Sequence, residues 1–373
     1  MIGVFKAIIY IMEIKDELMI NVLRNGAIES QHLGSFVAVD FNGRILAKVG
    51  DPNRKTYNRS SAKPLQAIPT FADDECMRRF RFTSRERALM TGSHNAERRH
   101  QKIGAEILEK LGLEIKHLHC GIHPPIDKDT QRDMRRKGEP FTPLCHNCAG
   151  NHLVMLALSV HRGWPIDDYT NPEHPYQQEV LKWVSLLSGE PKKKIKVGSD
   201  GCTAPVYHQT LLQFAMSFAR FSIPEKLTSL PNPDNLDLAA GARAMRMIMH
   251  DYWAHPEIMS GRTRFNAWLH KIGKGRIFTK GGGEGFQVAG LADEGVGFSI
   301  KILDGDPLGR AKSTAMIEAM HQIGLISDEI YEKARRDRKF FNPFVPNQRG
   351  TFDLEFLPDF KVKILSGWKE KYG

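Results

Sequence analysis

In "NRSSAKPLQAIP" (58–69), Ser60 stands three residues before Lys63, a separation that puts both side chains on one face of a helical turn. Pro64 fits a helix that begins here, because the hydrogen bond it removes would have ended at the Ser60 carbonyl. The unpaired N–H groups of a first turn favour negative charge developing at the serine. A lysine deprotonates serine only if its pKa falls far below about 10.4, through desolvation or a neighbouring cation. The same spacing also describes an N-capping serine beside a solvated lysine, the commoner meaning of S-x-x-K.

Three further stretches carry reactive types. "TGSHNAE" (91–97) sets Ser93 and His94 in a loop between two helical patterns, where Ser93 or Asn95 could equally serve as an N-cap. "TKGGGEGF" (279–286) puts Lys280 at a strand end before Gly281, Gly282 and Gly283. Such glycines either form a flexible turn or line a pocket so that substrate approaches backbone N–H groups. "LCHNCAGNHL" (144–153) holds Cys145 and Cys148 in a C-x-x-C spacing, but the second C-x-x-C of a zinc ribbon is absent from the chain. A redox pair should close a strand and open a helix, and a long apolar helix does follow. "VGSDGCTAP" (197–205) offers Asp200 and Cys202. Two thiolates, a carboxylate and one nitrogen or oxygen donor would make a closed tetrahedral zinc site, whereas any one cysteine alone reads as a small core residue.

These residues need elements to position them. "GSFVAVDFNGRILAKVG" (34–50) reads as a β-hairpin with a type I′ turn at its Asn-Gly. Helical spacing covers 84–94, 98–113, 151–163, 174–190, 206–220, 236–252 and 312–325, with Gly163 and Gly189 closing two of these helices. "KIKVGSDGC" is a short strand, and "GRIFTKGGGEGFQVAGL" with "GVGFSIKILDGD" gives strands joined by glycine-rich turns. The fold class expected is α/β, a mainly antiparallel sheet from hairpins at both chain ends with helices packed between. Residues beyond about Pro343 are expected to form an irregular cover.

Bulk properties narrow the function classes. The 373 residues are 41% hydrophobic and 26% charged, an ordinary globular composition for one large domain or two intertwined ones. Net charge is +10, yet the basic runs "KKK" (192–194) and "ARRDRK" (334–339) are not interleaved with aromatics, which argues against a nucleic-acid partner. Five dispersed cysteines give no disulfide framework and suit a reducing compartment. The apolar N-terminal stretch is only 14 residues long, with Lys6 inside it and no cleavage signal, too short to span a membrane. A cytoplasmic protein without a membrane partner is expected.

Together, "RSSAKPLQAIP", "GSHNAE", "HCGIHPP", "NCAGNHLVML", "SDGCTAP", "AHPEIMSGRTRF" and "TKGGGEGFQVAG" resemble the asparaginase II family of thermolabile, Rhizobium-type L-asparaginases, over roughly Leu23 to Gly350. The resemblance implies a serine β-lactamase/glutaminase-like fold, a homodimer, and hydrolysis of L-asparagine to aspartate and ammonia. On this basis residues 20–350 are expected to form the catalytic domain, with 1–19 an extension consistent with an early start codon and 351–373 a C-terminal cover. The family's motifs fall on Ser60 and Lys63, preceded by Arg59, and on Ser93 with Lys280. They also place zinc ligands on Cys148, Asp200 and Cys202.

The chain departs from the family at Asn151, where a lysine able to reach the metal is usual, and at Asn95, where a small hydroxyl residue is usual. Asn151, a water or His152 would then complete the zinc site. Arg59, His94, Asn151, Gly281 and Gly282 are the expected substrate contacts, with His94 and Arg262 placed to discriminate among amides. Ser60 is the expected nucleophile, since helix geometry fixes its lysine, while Ser93 relies on a distant one. The resemblance suggests a pocket-lining loop for His119, Cys120 and His123, with a metal-binding or a purely structural role as the alternatives; Cys76 and Cys145 are expected in packing or on exposed loops, and Asp304 in an ion pair with Arg310. A catalytically silent, zinc-stabilised member that binds an amino acid and a hydrolase of glutamine or another small amide or lactam are the competing readings.

Overall fold

The computed structural model describes residues 15–336, 341 and 354–372. Eleven strands are present among them: β1 (Glu17–Arg24), β2 (Ala27–Asp40), β3 (Ile45–Val49), β4 (Lys55–Tyr57), β5 (Lys196–Ser199), β6 (Pro205–Thr210), β7 (Ile277–Gly281), β8 (Phe286–Leu291), β9 (Val296–Ile302), β10 (Leu354–Pro358) and β11 (Lys363–Ile364). Eight of them form one antiparallel sheet in the order β10-β1-β2-β9-β8-β7, with β3 pairing both β2 and β11. The remaining three make a small sheet in the order β4-β6-β5. The expected mainly antiparallel α/β architecture is therefore what forms.

The large sheet is covered on both faces, which explains the unbroken apolar run "FVAV" in β2. Successive side chains of a strand point to opposite faces. Val37 and Val39 accordingly enter the helical core, while Phe36 and Ala38 enter a second core beneath the helix Lys312–Gln322. The helix Leu211–Ser222 lies directly on β8 and β9 because glycines leave room for it. A Cβ at Gly297 would meet the Ala215 carbonyl oxygen at 1.9 Å, and one at Gly290 would meet that of Phe218 at 2.6 Å.

Most expected elements are present, with three differences. Residues 205–210 are strand rather than the start of a helix. Thr210 then caps the helix, its hydroxyl and the Gln213 side chain exchanging bonds with the first-turn N–H groups. The turn after β2 has positive φ only at Gly43 (84°), not at Asn42, so it is no type I′ turn. The Asp40 carboxylate holds it by accepting from the Asn42 and Arg44 amides. The segment expected to be an irregular cover supplies β10 at the sheet edge, β11 beside β3, and the helix Ser366–Tyr372. The expected extension lies outside the described residues up to residue 14, as do 337–339 of the second basic run; Lys192–Lys194 form a single 3₁₀ turn. No described helix is long and apolar enough to cross a membrane.

Candidate active site

Two helices and one strand deliver the reactive groups. The helix Lys63–Phe71, buried along its whole length, starts at Lys63 with Pro64 next, where its missing N–H costs nothing. Before it, Arg59–Ala62 makes a 3₁₀ turn that exposes Ser60 to a cavity of about 600 Å³. The helix Ser84–Met90, capped by Thr83 and Glu86, feeds the loop carrying Ser93. That loop is fixed at its backbone, since the Tyr252 hydroxyl donates to the Thr91 carbonyl at 2.6 Å and the Ser93 N–H to the Met259 carbonyl at 2.8 Å. Lys280 closes in from β7, whose carbonyl at that residue accepts from the Ser61 hydroxyl at 2.9 Å.

The lysines converge on Ser93, not Ser60. Lys63 Nζ and Lys280 Nζ each lie 2.9 Å from Ser93 Oγ, and all three residues are buried. Lys63 also donates to the Gly92 carbonyl at 2.9 Å and Lys280 to the Gly281 carbonyl at 3.0 Å. Among the described residues no hydrogen bond joins Lys63 to Ser60. The helical spacing puts the two side chains on one face, but that face opens toward the 91–97 loop and the longer lysine reaches across. The two lysine nitrogens are at most about 6 Å apart, close enough to disfavour each other's charge. Burial first, then Lys63 and Arg264, hold the Lys280 pKa well below the ordinary lysine value.

The other expected contacts divide. Arg59, Gly281 and Gly282 line the cavity, together with Ser60 and Ser93. Arg59 holds a left-handed backbone (φ 49°) and its guanidinium grips Asp200 at 2.7 Å. Of the glycine N–H groups, that of Gly282 is spent on the Phe286 carbonyl at 2.9 Å. The Gly283 N–H, also in the wall, makes no hydrogen bond to the described residues. His94 and Asn151 are not part of the wall. His94 is buried behind Ser93, stacked on His100, and burial keeps it neutral. Arg262 is exposed and paired with Glu97.

The proposed zinc ligands come together only in part. Cys148 and Cys202 both line the cavity and touch. Their interaction lowers the Cys148 pKa and, with burial, raises that of Cys202, while the Cys148 thiol lies 3.4 Å from Asn147 Oδ1. Cys148 ignores Cys145, which packs against Ala96 and Met134. Asp200 Oδ1, however, is committed to Arg59 and to the Gly201 N–H, and the described residues contain no group of three or more His, Cys, Asp or Glu arranged around a metal position. Asn151 donates to Gln66 at 3.0 Å, leaving its Oδ1 buried without a partner. His152 is taken by the Tyr169 hydroxyl at 2.7 Å. The two thiols thus adjoin, while Asp200 is held to Arg59 through Oδ1.

Several expectations are corrected by packing. His119, Cys120 and His123 do not line the cavity: the ring of His119 stacks on Tyr169, Cys120 is buried with its thiol pushed up to about 12, and His123 bonds the Pro124 carbonyl. Asp304 pairs with His32 at 2.8 Å instead of Arg310. Cys76 is a core residue, as expected. Arg264, Asn266, Gln287 and Lys312 line the cavity but were not singled out from the sequence. Arg264 lies within the "GRTRF" of a recognised motif, and Lys312 opens the helical pattern at 312–325.

A profile described as L-asparaginase II matches residues 20–352. No curated protein matches the chain in sequence. Solved structures with a similar outline include a crystal structure of Mglu in its native form, at 13% identity and a TM-score of 0.40 over 84% of this chain. This chain spans 66% of the length of that one, a likeness too distant to bear on function.

Proposed function

The chain belongs to the L-asparaginase II family, and on that premise we propose that it hydrolyses the side-chain amide of L-asparagine through an acyl-enzyme formed on Ser93. The observation that carries this reading is a buried serine hydroxyl held between two lysines at a cavity wall. With its pKa depressed, Lys280 stands neutral and takes the Ser93 proton. The freed oxygen attacks the amide carbon, and the Gly283 N–H would steady the oxyanion, a contribution of roughly 3–4 kcal/mol for such a donor. The proton passes to the departing nitrogen, ammonia leaves, and the aspartyl ester remains on Ser93. Water, deprotonated by the same lysine, cleaves the ester and restores the serine. Lys63, anchored on the Gly92 carbonyl, holds the Ser93 hydroxyl in position from the other side, and Ser60, across the cavity wall, contacts substrate.

The zinc expectation rests on Cys148 and Cys202, which would hold the ion and brace the 144–153 and 197–205 segments against each other. No chemical step is assigned to it. Ammonia release from purified protein given asparagine or glutamine tests the whole reading. Release from asparagine, abolished in Ser93→Ala, supports it; no release from either amide overturns it.

A further inference from the structure

Besides the groups around Ser93, the cavity is lined by Arg59, Arg264 and Lys312. Its acids are spent. Asp200 serves Arg59, and Asp306 accepts the N–H groups of Arg310, Ala311 and Lys312 at the start of the helix Lys312–Gln322. The Arg264 guanidinium makes no ion pair or hydrogen bond among the described residues. Lys312 reaches only the Gly282 carbonyl, at a long 3.5 Å. Two half-buried cations that face a cavity and have no ion pair of their own among the described residues are a place for a ligand's negative charge.

A second observation lies beside them. Gln287 is fully buried, and its Nε2 donates to Asn266 Oδ1 at 2.8 Å and Thr279 Oγ1 at 2.7 Å. This fixes the amide so that Oε1 is the end left over, buried and without a partner. Around the point where a Gly281 Cβ would stand, Gln287 Oε1 lies at 2.6 Å, Asn266 Oδ1 at 3.3 Å and Lys312 Nζ at 3.4 Å. The absence of a side chain at Gly281 therefore keeps open a spot where an orphaned acceptor and a cation adjoin. An α-amino acid carries the complement of that pairing, a carboxylate next to an ammonium.

We propose that Arg264 and Lys312 hold the α-carboxylate, and Gln287 Oε1 the α-ammonium, of a small amino-acid amide whose side chain reaches Ser93. This deepens the hydrolase reading and rests on it. It restricts substrates to free amino acids, excluding amides within peptides or with a blocked carboxyl or amino group. Binding to the two cations makes both residues specificity determinants, with no part in the bond-breaking step.

The test compares L-asparagine with 3-aminopropanamide, which lacks the carboxylate, and with succinamate, which lacks the ammonium. The wild-type protein should favour asparagine over 3-aminopropanamide by about 100-fold or more in kcat/KM, chiefly through KM, as expected for losing two charge-assisted bonds. In Lys312→Gln and Arg264→Gln the loss on asparagine should exceed the loss on 3-aminopropanamide by about tenfold, and Lys312→Arg should recover part of it. Gln287→Met should erase the preference for asparagine over succinamate, whereas Gln287→Glu, which keeps the acceptor, should retain it. Equal losses on asparagine and 3-aminopropanamide, in variants whose melting temperatures match wild type or do not, overturn the subsite and leave the hydrolase reading standing. Calorimetric titration with L-aspartate separates the two ideas. Binding that weakens in Lys312→Gln, in a protein that releases no ammonia, keeps the subsite and sinks the hydrolase; neither binding nor release overturns both.

Discussion

Replacing Ser93 by alanine removes the one oxygen that two buried lysines share. If Ser93 is the nucleophile, the acyl-enzyme cannot form, and the rate falls to what binding and oxyanion support alone provide. Removal of a nucleophile that works as a unit with its base costs on the order of 10⁴–10⁶ in kcat. At about 1.36 kcal/mol per decade this is about 5–8 kcal/mol of lost transition-state stabilisation. KM should barely move, since the Gly281–Gly283 wall and the Arg264–Lys312 cations are untouched. The same change has a structural cost. Lys63 and Lys280 each lose a 2.9 Å bond and keep one to a carbonyl, so about 1–3 kcal/mol of stability should go. Ser60→Ala, by contrast, deletes a hydroxyl that bonds neither lysine, and kcat should fall by less than about 100-fold. The assay is ammonia release under saturating asparagine, with intact-protein mass after rapid quench to detect the ester. An ester that persists in Ser93→Ala and vanishes in Ser60→Ala would refute the reasoning and return the nucleophile to the first serine.

Other outcomes follow from the same geometry. Protonated Lys280 cannot accept the serine proton, so kcat/KM should be lost as pH falls through the folded-state pKa of Lys280. Because burial and Lys63 depress that pKa, the limb should lie well below 10.5 in a pH–rate profile; a limb near 10.5 contradicts the assignment. Gly92→Ala would bring its Cβ to 2.2 Å from the Met259 carbonyl oxygen that anchors the Ser93 N–H. Activity should collapse, with about 1–3 kcal/mol lost in chemical denaturation. Asp251, almost wholly buried, binds Arg87 through both oxygens and steadies the helix leading to Ser93. Asp251→Ala should cost about 3–5 kcal/mol of stability by leaving Arg87 unpaired. Plasma mass spectrometry should find zinc in wild-type protein and little in Cys148→Ser or Cys202→Ser; equal zinc in all three would discard the thiol clamp. Light scattering should report a homodimer.

The legible part of the sequence was the part governed by local physics. Apolar spacing located the helices at 84, 98, 151 and 174 to within a few residues, because each is rich in buried apolar positions (the one at 151 on every side) and ends at a capping residue or glycine. Strands around 277–302 stood out by apolar runs between glycines. At 206–210 the stretch "VYHQT" fits strand and helix alike, and pairing with β4 and β5 decided in favour of strand. The same limit applied to the C-terminal segment, whose strands exist only because β1 and β3 offer open edges.

By itself the sequence determined the family, the reactive residue types, and the glycines that keep backbone close to a cavity. It also placed Lys63 and Ser60 on one helix face, which is a fact about three residues. Which serine receives the lysine is a fact about 187 residues of separation between Ser93 and Lys280, settled when β7 and the 91–97 loop close on the same helix end. Tertiary packing likewise drew His94 behind the wall, tied Asp200 to Arg59, and brought Arg264, Gln287 and Lys312 to face one another. Spacing along a chain fixes neighbours on one element. Only the burial of several elements against each other fixes which charges meet, because desolvation forces each buried polar group to find a partner wherever the fold has put one.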